Sequence, residues 1–259
     1  MLRGMNLIGG GAGEAGGFQV KGVTLNGSDN TYSRGAAYTS VSDTKEIILS
    51  FWWKRDVADQ GDDVWGSATP GYYVATPAPN NGNKFTCRWA NSTNTQKLEM
   101  TTTNAFSDTA SWHHTMYSVN TNSGVADSWI AVDGVNQGLA SQSVTTDGIF
   151  DLTNFTNWHH FNDGVTGAYW DGDVAELYIN TDASLDLSVA ANIERFRSTA
   201  GKPVDLGVDG STPTGSQPTV YQSVAADGAA SDFATNLGYG GGMTENGTTV
   251  ALASTSPTD

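Results

Sequence analysis

All four histidines of the chain sit in two strings, Trp112-His113-His114 and Trp158-His159-His160. Four imidazoles supply enough nitrogen for a zinc or copper ion. Adjacent residues on a strand point to opposite faces, so at most one imidazole of each string can converge. Carboxylates or Cys87 would have to complete the shell. The spacing identifies no such set, and the strings are read as structural histidines that open strands. A glycoside hydrolase needs two carboxylates across a cleft. Glu176 has Asp173 three residues before it and Asn180 at the i+4 place, and Glu46 is equally isolated. The sequence contains no serine nucleophile elbow, phosphate loop or zinc-protease motif. The expected class is non-enzymatic.

Binding chemistry has more candidates. Asp62-Asp63 and Asp171-Gly172-Asp173 fall in expected loops, and carboxylate oxygens of this kind suit Ca2+. Asp171 and Asp173 are the candidate calcium ligands, with solvated turn carboxylates as the alternative. Sugar recognition uses an aromatic face beside polar groups. Trp65, Tyr72, Tyr73 and Trp170 are the candidate glycan platforms, and Trp89 and Tyr239 are further aromatics of interest. Core packing is the competing use of each. Cys87 alternates with Phe85 and Trp89, as a small buried hydrophobe would, and a single cysteine excludes an intrachain disulfide.

The elements that must hold these residues read as short strands. Ile47, Leu49, Phe51 and Trp53 alternate with Ile48, Ser50, Trp52 and Lys54, apolar on both sides for much of the run, which predicts a central strand. Shorter strands are predicted around Tyr72 and Val74, over Phe85–Trp89, at Leu98 and Met100, over Trp112–Val119 and over Ser128–Val132. Asp133-Gly134 supplies the residues a tight hairpin turn needs before Val135. In Asp173–Ile179, alternation places Val174, Glu176 and Tyr178 on one face and Ala175, Leu177 and Ile179 on the other. Turn signals every 8–15 residues or so indicate a sandwich or barrel and not alternating strand and helix.

One helix is predicted, capped by Ser188, with Val189, Ile193 and Phe196 as its apolar stripe and Gly201 ending it. The expected organisation is a Gly-rich N-terminal arm at 1–17, a β-sandwich at 18–182, a docked helix at 183–200 and an extended C-terminal arm at 201–259. Tyr221, Val224, Phe233, Leu237 and Tyr239 are that arm's expected anchors. It wraps either its own domain or a neighbouring subunit.

Bulk properties narrow the partners. Lys+Arg number 12 against 27 Asp+Glu, a formal net charge of -15, and no basic cluster works locally against that field. Nucleic acid is excluded as a partner, while a basic protein surface or a divalent cation is compatible. No membrane insertion is expected. Met1 to Phe18 carries one arginine and then Gly-rich sequence where an export signal has about 7–15 apolar residues, so none is expected. Surface-type composition without export signal or disulfide fits a virion component, assembled inside a cell and released by lysis.

The strand series then carries a resemblance. Leu25-Asn26-Gly27-Ser28-Asp29-Asn30-Thr31-Tyr32 with Ser33-Arg34-Gly35, Leu49-Ser50-Phe51-Trp52-Trp53-Lys54, Trp112-His113-His114, Trp129-Ile130-Ala131-Val132-Asp133-Gly134 and Gly172-Asp173-Val174-Ala175-Glu176-Leu177-Tyr178-Ile179 follow in an order that resembles a concanavalin A-like or laminin-G-like jelly roll over about residues 20–180. Leu185 to Tyr221, with Gly201-Lys202-Pro203-Val204-Asp205-Leu206-Gly207 and Asp209-Gly210-Ser211-Thr212-Pro213-Thr214-Gly215, and the ending Ala253-Ser254-Thr255-Ser256-Pro257-Thr258-Asp259, are similar to laminin-G-like proteins of tailed phages and prophages. The resemblance implies an all-β sandwich in a virion, as capsid decoration or a tail-fibre or spike component. Its implied partners are other virion proteins, copies of itself in a homo-oligomer, and host-surface glycans. It supplies no catalytic residue. The alternative is a glycan-binding, lectin-like adhesion module, and a polysaccharide-degrading enzyme stands third.

Overall fold

The structure of the protein is a computed structural model that describes residues 18–58, 63–67, 73–75, 82–162, 167 and 169–259. The strands in chain order are β1 (Val20–Lys21), β2 (Val23–Asn26), β3 (Thr31–Arg34), β4 (Glu46–Arg55), β5 (Asp63–Ser67), β6 (Tyr73–Ala75), β7 (Thr86–Ala90), β8 (Gln96–Thr102) and β9 (His113–Asn120). They continue as β10 (Ser128–Val132), β11 (Val135–Asn136), β12 (Leu139–Val144), β13 (Trp158–His160), β14 (Asp171–Asn180), β15 (Val220–Gln222), β16 (Val224–Ala225), β17 (Thr244–Asn246) and β18 (Ala251–Leu252). One sheet runs β11-β10-β9-β4-β14-β2-β18, with β15 also on β14, and the other runs β12-β8-β7-β6-β5-β13-β3-β17. β1 and β16 form a separate pair. The result is the all-β jelly-roll sandwich expected from the strand pattern. The N-terminal arm at 1–17 lies outside the described residues.

Alternation builds the core between the sheets. Ile47, Leu49, Phe51 and Trp53 of β4 enter it and meet Phe85, Cys87, Trp89, Leu98 and Met100 from the opposite sheet. Trp53 sits edge-on to Phe85, and Trp65 stacks on Trp158 with centroids 5.3 Å apart. Cys87 is 4% exposed, and burial pushes its thiol up to about 12. β4 lies between β9 and β14, the central position its two-sided apolar run predicts. Asp133 and Gly134 adopt φ of 50° and 82° between the paired residues Val132 and Val135, so the hairpin forms where the Asp-Gly pair predicts it.

The outer face of the first sheet is also buried. Ile48, Met116, Ala131 and Tyr178 project from it and are covered by Leu187, Ile193, Phe196, Leu206 and Tyr221. Full burial of such side chains contributes about 1.5–3 kcal/mol each, so this covering layer is integral to the sheet's stability. It is not the helix that periodicity predicts. The α-helix spans only Ala190–Ile193, with Val189 at its N-cap and 46% exposed. Ser188 instead donates its N–H and hydroxyl to Asp186, and the chain beyond Ile193 closes into a turn through Ser198 N–H to Lys202 O. At the C-terminal end, the forward bond of Ser198 takes a donor that a longer helix would use.

Residues 201–259 wrap the chain's own sandwich. β15 pairs with β14, β16 with β1, β17 with β3 and β18 with β2, so both sheets and the β1 pair receive C-terminal strands. Of the expected anchors, Tyr221, Val224 and Phe233 are buried, whereas Leu237 is 36% exposed and Tyr239 is half-buried. These strands are only two or three residues long, too short for period-2 alternation to announce them.

β14 departs from simple alternation. A bulge falls between Ala175 and Tyr178, and Glu176 takes a φ of 47°. Val174, Leu177 and Ile179 all enter the inter-sheet core while Tyr178 faces the outer layer, so Val174 and Tyr178 do not share a face. One extra residue shifts the pleat by one position.

Two outcomes follow from this architecture. Ending the chain at Gln217 removes β15–β18 and uncovers both sheets; a thermal melt followed by near-UV circular dichroism should lose its cooperative transition. Cys87 should resist a thiol reagent in native buffer and react at once in denaturant.

Candidate functional site

The sequence candidates separate once placed. Trp65 and Trp170 are 1% and 0% exposed, packed against Trp158 and against Phe51, Trp53 and Phe161 respectively, so neither offers a face to a sugar. Their rings were wanted by the core, which is the larger sink for indole surface. Tyr72 and the Tyr73 side chain lie outside the described residues. Trp89 is buried as well. Asp171 and Asp173 are the first and third residues of β14, not loop residues. Asp173 is 5% exposed and accepts a 2.6 Å bond from Thr24 Oγ1, with Lys54 Nζ at 3.8 Å. Burial and the nearby Asp56 raise the Asp171 carboxyl above its ordinary value, the opposite of what a cation partner would do. Among the described residues, no three His, Cys, Asp or Glu side chains form a group able to hold a metal ion.

The histidines are structural partners. His114 Nε2 meets Ser50 Oγ at 2.8 Å, and burial, with Arg197 adding to it, depresses its pKa to about 3. On the other face His113 bonds Asp133 at 2.6 Å and Asp108 at 3.2 Å; burial opposes its charge, but the two carboxylates prevail and raise its pKa. His160, neutral through burial with a pKa near 4, sits inside a chain of hydrogen bonds. Trp65 Nε1 donates to Tyr38 Oη at 2.9 Å, Tyr38 Oη meets His160 Nε2 at 2.9 Å, His160 Nδ1 meets Gln222 Oε1, and Gln222 Nε2 donates to the Phe233 carbonyl at 2.7 Å. A single proton order satisfies every link: tyrosine donates to Nε2 and the imidazole donates through Nδ1. This chain fastens β15 and the 230–234 turn to the second sheet.

Against that fastened segment lies a cavity of about 470 Å3. Phe18, Val20, Val208, Ala225 and Leu237 form its apolar wall, with Tyr221 between them. Gln19, Ser223 and Thr235 supply polar groups, and Asp205 and Asp232 supply two exposed carboxylates. Three separate stretches build it: the entry to β1, the loop carrying Asp205 to Val208, and β15 through Leu237. Val208 is 93% exposed and Leu237 36%, an apolar rim at its mouth.

Glu176 lies behind Tyr221. Tyr221 Oη donates to Glu176 Oε1 at 3.1 Å, and Oε2 has no partner among the described residues. The residue is 2% exposed and sits in the β14 bulge. Burial raises its pKa to about 8; the Tyr221 bond pulls down and the negative charge of Asp205 pushes up again. At pH 7 the carboxyl is therefore mostly protonated. It does not line the cavity, so no second carboxylate faces it across open solvent there.

Nothing in the sequence singled out Asp205, Tyr221 or Asp232 as one site. The only local sign is Asp205-Leu206-Gly207, where Asp205 Oδ1 accepts the Gly207 N–H at 2.8 Å, an Asx turn that fixes the carboxylate.

No protein-family model matches the chain, and no curated protein matches it. Among solved structures the fold is similar to that of a presumed carbohydrate-binding protein from Bacteroides ovatus, with a TM-score of 0.56 and 12% identity over 92% of this chain. The chain spans 61% of that protein's length. A heptameric SAP-like pentraxin from Limulus polyphemus matches with a TM-score of 0.46 and 10% identity, over 68% of this chain and 82% of the pentraxin. Domain 4 of the arabinanase AbnA from Geobacillus stearothermophilus, solved with arabinotriose, matches at 0.39 and 15% over 66% and 74% of the two chains. The first likeness confirms the jelly-roll sandwich.

The Glu176 geometry has a measurable consequence. Its pKa is raised on folding, so its contribution to stability is full below about pH 4.5 and declines as pH rises through about 8, at no more than ~1.4 kcal/mol per pH unit. Glu176→Gln should flatten that decline, giving similar stability at pH 5 and a gain at pH 8. Urea midpoints at pH 5, 6.5 and 8 measure this, and equal slopes for the two proteins would refute the buried-carboxyl account.

Proposed function

We propose that this chain is a lectin-like binding module that holds a glycan in the 470 Å3 cavity beside Tyr221. The observation that carries this reading is the composition of the cavity wall. Apolar side chains suited to sugar C–H faces stand beside two carboxylates and the Ser223 and Thr235 hydroxyls, which suit sugar hydroxyl groups. The volume falls in the range of about 300–1,000 Å3 typical of small-ligand sites. The similar fold of the Bacteroides ovatus protein is compatible with the reading. Catalysis has no comparable support, since Glu176 is sealed behind Tyr221 and paired with it.

A virion structural role is the second reading, as capsid decoration or a fibre component displayed on a released particle. Its support is only the resemblance read from the sequence of residues 185–221; no family model or curated protein matches the chain. The C-terminal arm, however, spends its strands on its own sandwich, so contact with neighbouring virion proteins would fall to other surfaces. The two readings are compatible, because a virion protein can also recognise host glycans.

The experiment is a glycan array followed by saturation-transfer NMR on the hits, using the full chain and Ala225→Trp. The indole of the variant fills the cavity from an exposed position on β16. At least one glycan should bind the native chain and lose about tenfold or more in affinity against the variant, the scale expected when a buried contact set is blocked. Hits unaffected by Ala225→Trp would place binding elsewhere and remove this cavity from consideration.

A further inference from the structure

We infer that the cavity selects ligands that carry a positive charge on a sugar or otherwise apolar body, with amino sugars as the leading class. The inference rests on the cavity being the binding site and adds the kind of ligand it takes. Asp205 and Asp232 both line it, and among the described residues no lysine, arginine or histidine does. Lys21, next to Val20 of the lining, donates its Nζ to Gly228 O at 3.1 Å.

Both carboxylates are held for use. Asp205 Oδ1 accepts the Gly207 N–H and Asp232 Oδ2 accepts the Ala229 N–H, each at 2.8 Å. One backbone bond fixes each group and leaves its second oxygen unengaged among the described residues. Two oriented acceptors beside an apolar wall suit an ammonium donor, whose hydrogen bonds to carboxylate are the stronger, charge-assisted kind. The unpartnered Oε2 of Glu176 lies one side chain behind, bonded through its other oxygen to the Tyr221 that lines the cavity. Glu176 is mostly protonated at pH 7 and adds little charge, so the bias rests on Asp205 and Asp232, which stand beside the Tyr221 wall with no cation among the described lining residues. The chain's net charge of -15 extends the same bias outward. Uronic and sialic acids, or phosphates, would meet repulsion from the two aspartates.

The test is calorimetric and NMR titration of the full chain with glucosamine, N-acetylglucosamine and glucuronic acid at pH 7, at low and high salt. It is repeated with Asp205→Asn, Asp232→Asn and the double variant. Asparagine keeps an acceptor for Gly207 and Ala229, so the local turns persist. Glucosamine should bind about tenfold tighter than N-acetylglucosamine, and glucuronic acid should bind weakest. The preference should shrink in each single variant, vanish in the double variant and weaken as salt rises. Equal binding of the amine and its acetylated form, or a preference that survives both substitutions, overturns the inference while leaving a glycan site standing. Titration with n-butylamine separates the remaining case. If the amine binds with the same dependence on Asp205 and Asp232 but no sugar does, charge selection holds and the glycan reading fails. If no probe binds, both fail.

Discussion

The sheet centred on β4 and β14 is apolar on both faces, and the fold is organised by the need to cover each. The opposite sheet takes the inner face with Trp, Phe, Cys and Met side chains. The outer face, with Ile48, Met116 and Tyr178, has no second sheet available, so the chain after β14 must supply the cover. Leu187, Ile193, Phe196, Leu206 and Tyr221 do this from irregular backbone. Apolar burial is non-directional, so a covering layer needs the right side chains in place but no particular secondary structure. That is why a segment rich in glycine and proline serves.

Covering the outer face creates the polar problems that the site exploits. The C-terminal strands must be fastened to a sandwich already hydrogen-bonded, and the proton-ordered chain from Trp65 through Tyr38, His160 and Gln222 to Phe233 is one fastening. A buried network of this kind fixes a unique arrangement only when every member is satisfied, as here. Glu176 is the opposite case. The bulge keeps Leu177 and Ile179 in the core at the expense of a left-handed backbone and a carboxyl with one oxygen unpaired. Its proton, retained because burial disfavours the charge, is what makes the arrangement tolerable. Tyr221 then serves two regions at once: it pairs with Glu176 inside and forms a wall of the cavity outside.

Much of the fold was legible in the sequence. The two-sided apolar run of β4, the Asp133-Gly134 hairpin and the opposed faces of His113 and His114 each follow from period-2 geometry and turn chemistry, which are local. The failures are also local in origin. The 3.6-residue stripe of Val189, Ile193 and Phe196 was real as burial for two of its members but not as a helix of that length, since beyond Arg197 the Ser198 N–H turns forward to the Lys202 carbonyl instead of back along the helix. The face assignment of Val174 and Tyr178 failed at a bulge that carries no residue signature, since Glu176 is neither glycine nor asparagine.

What the amino-acid order determined by itself is the class: short alternating strands, a strongly acidic exterior, and histidines that open strands. Which aromatics face solvent was decided by tertiary packing alone. Trp65 and Trp170 look the same on paper as ring platforms and as core, and only the meeting of two sheets consigns them to the interior. The cavity is likewise absent from any single stretch, because Phe18, Asp205, Tyr221 and Asp232 become neighbours only when the C-terminal strands return to β14 and β1. Periodicity reports the environment on each side of one element; it carries no information about which distant elements will share a wall.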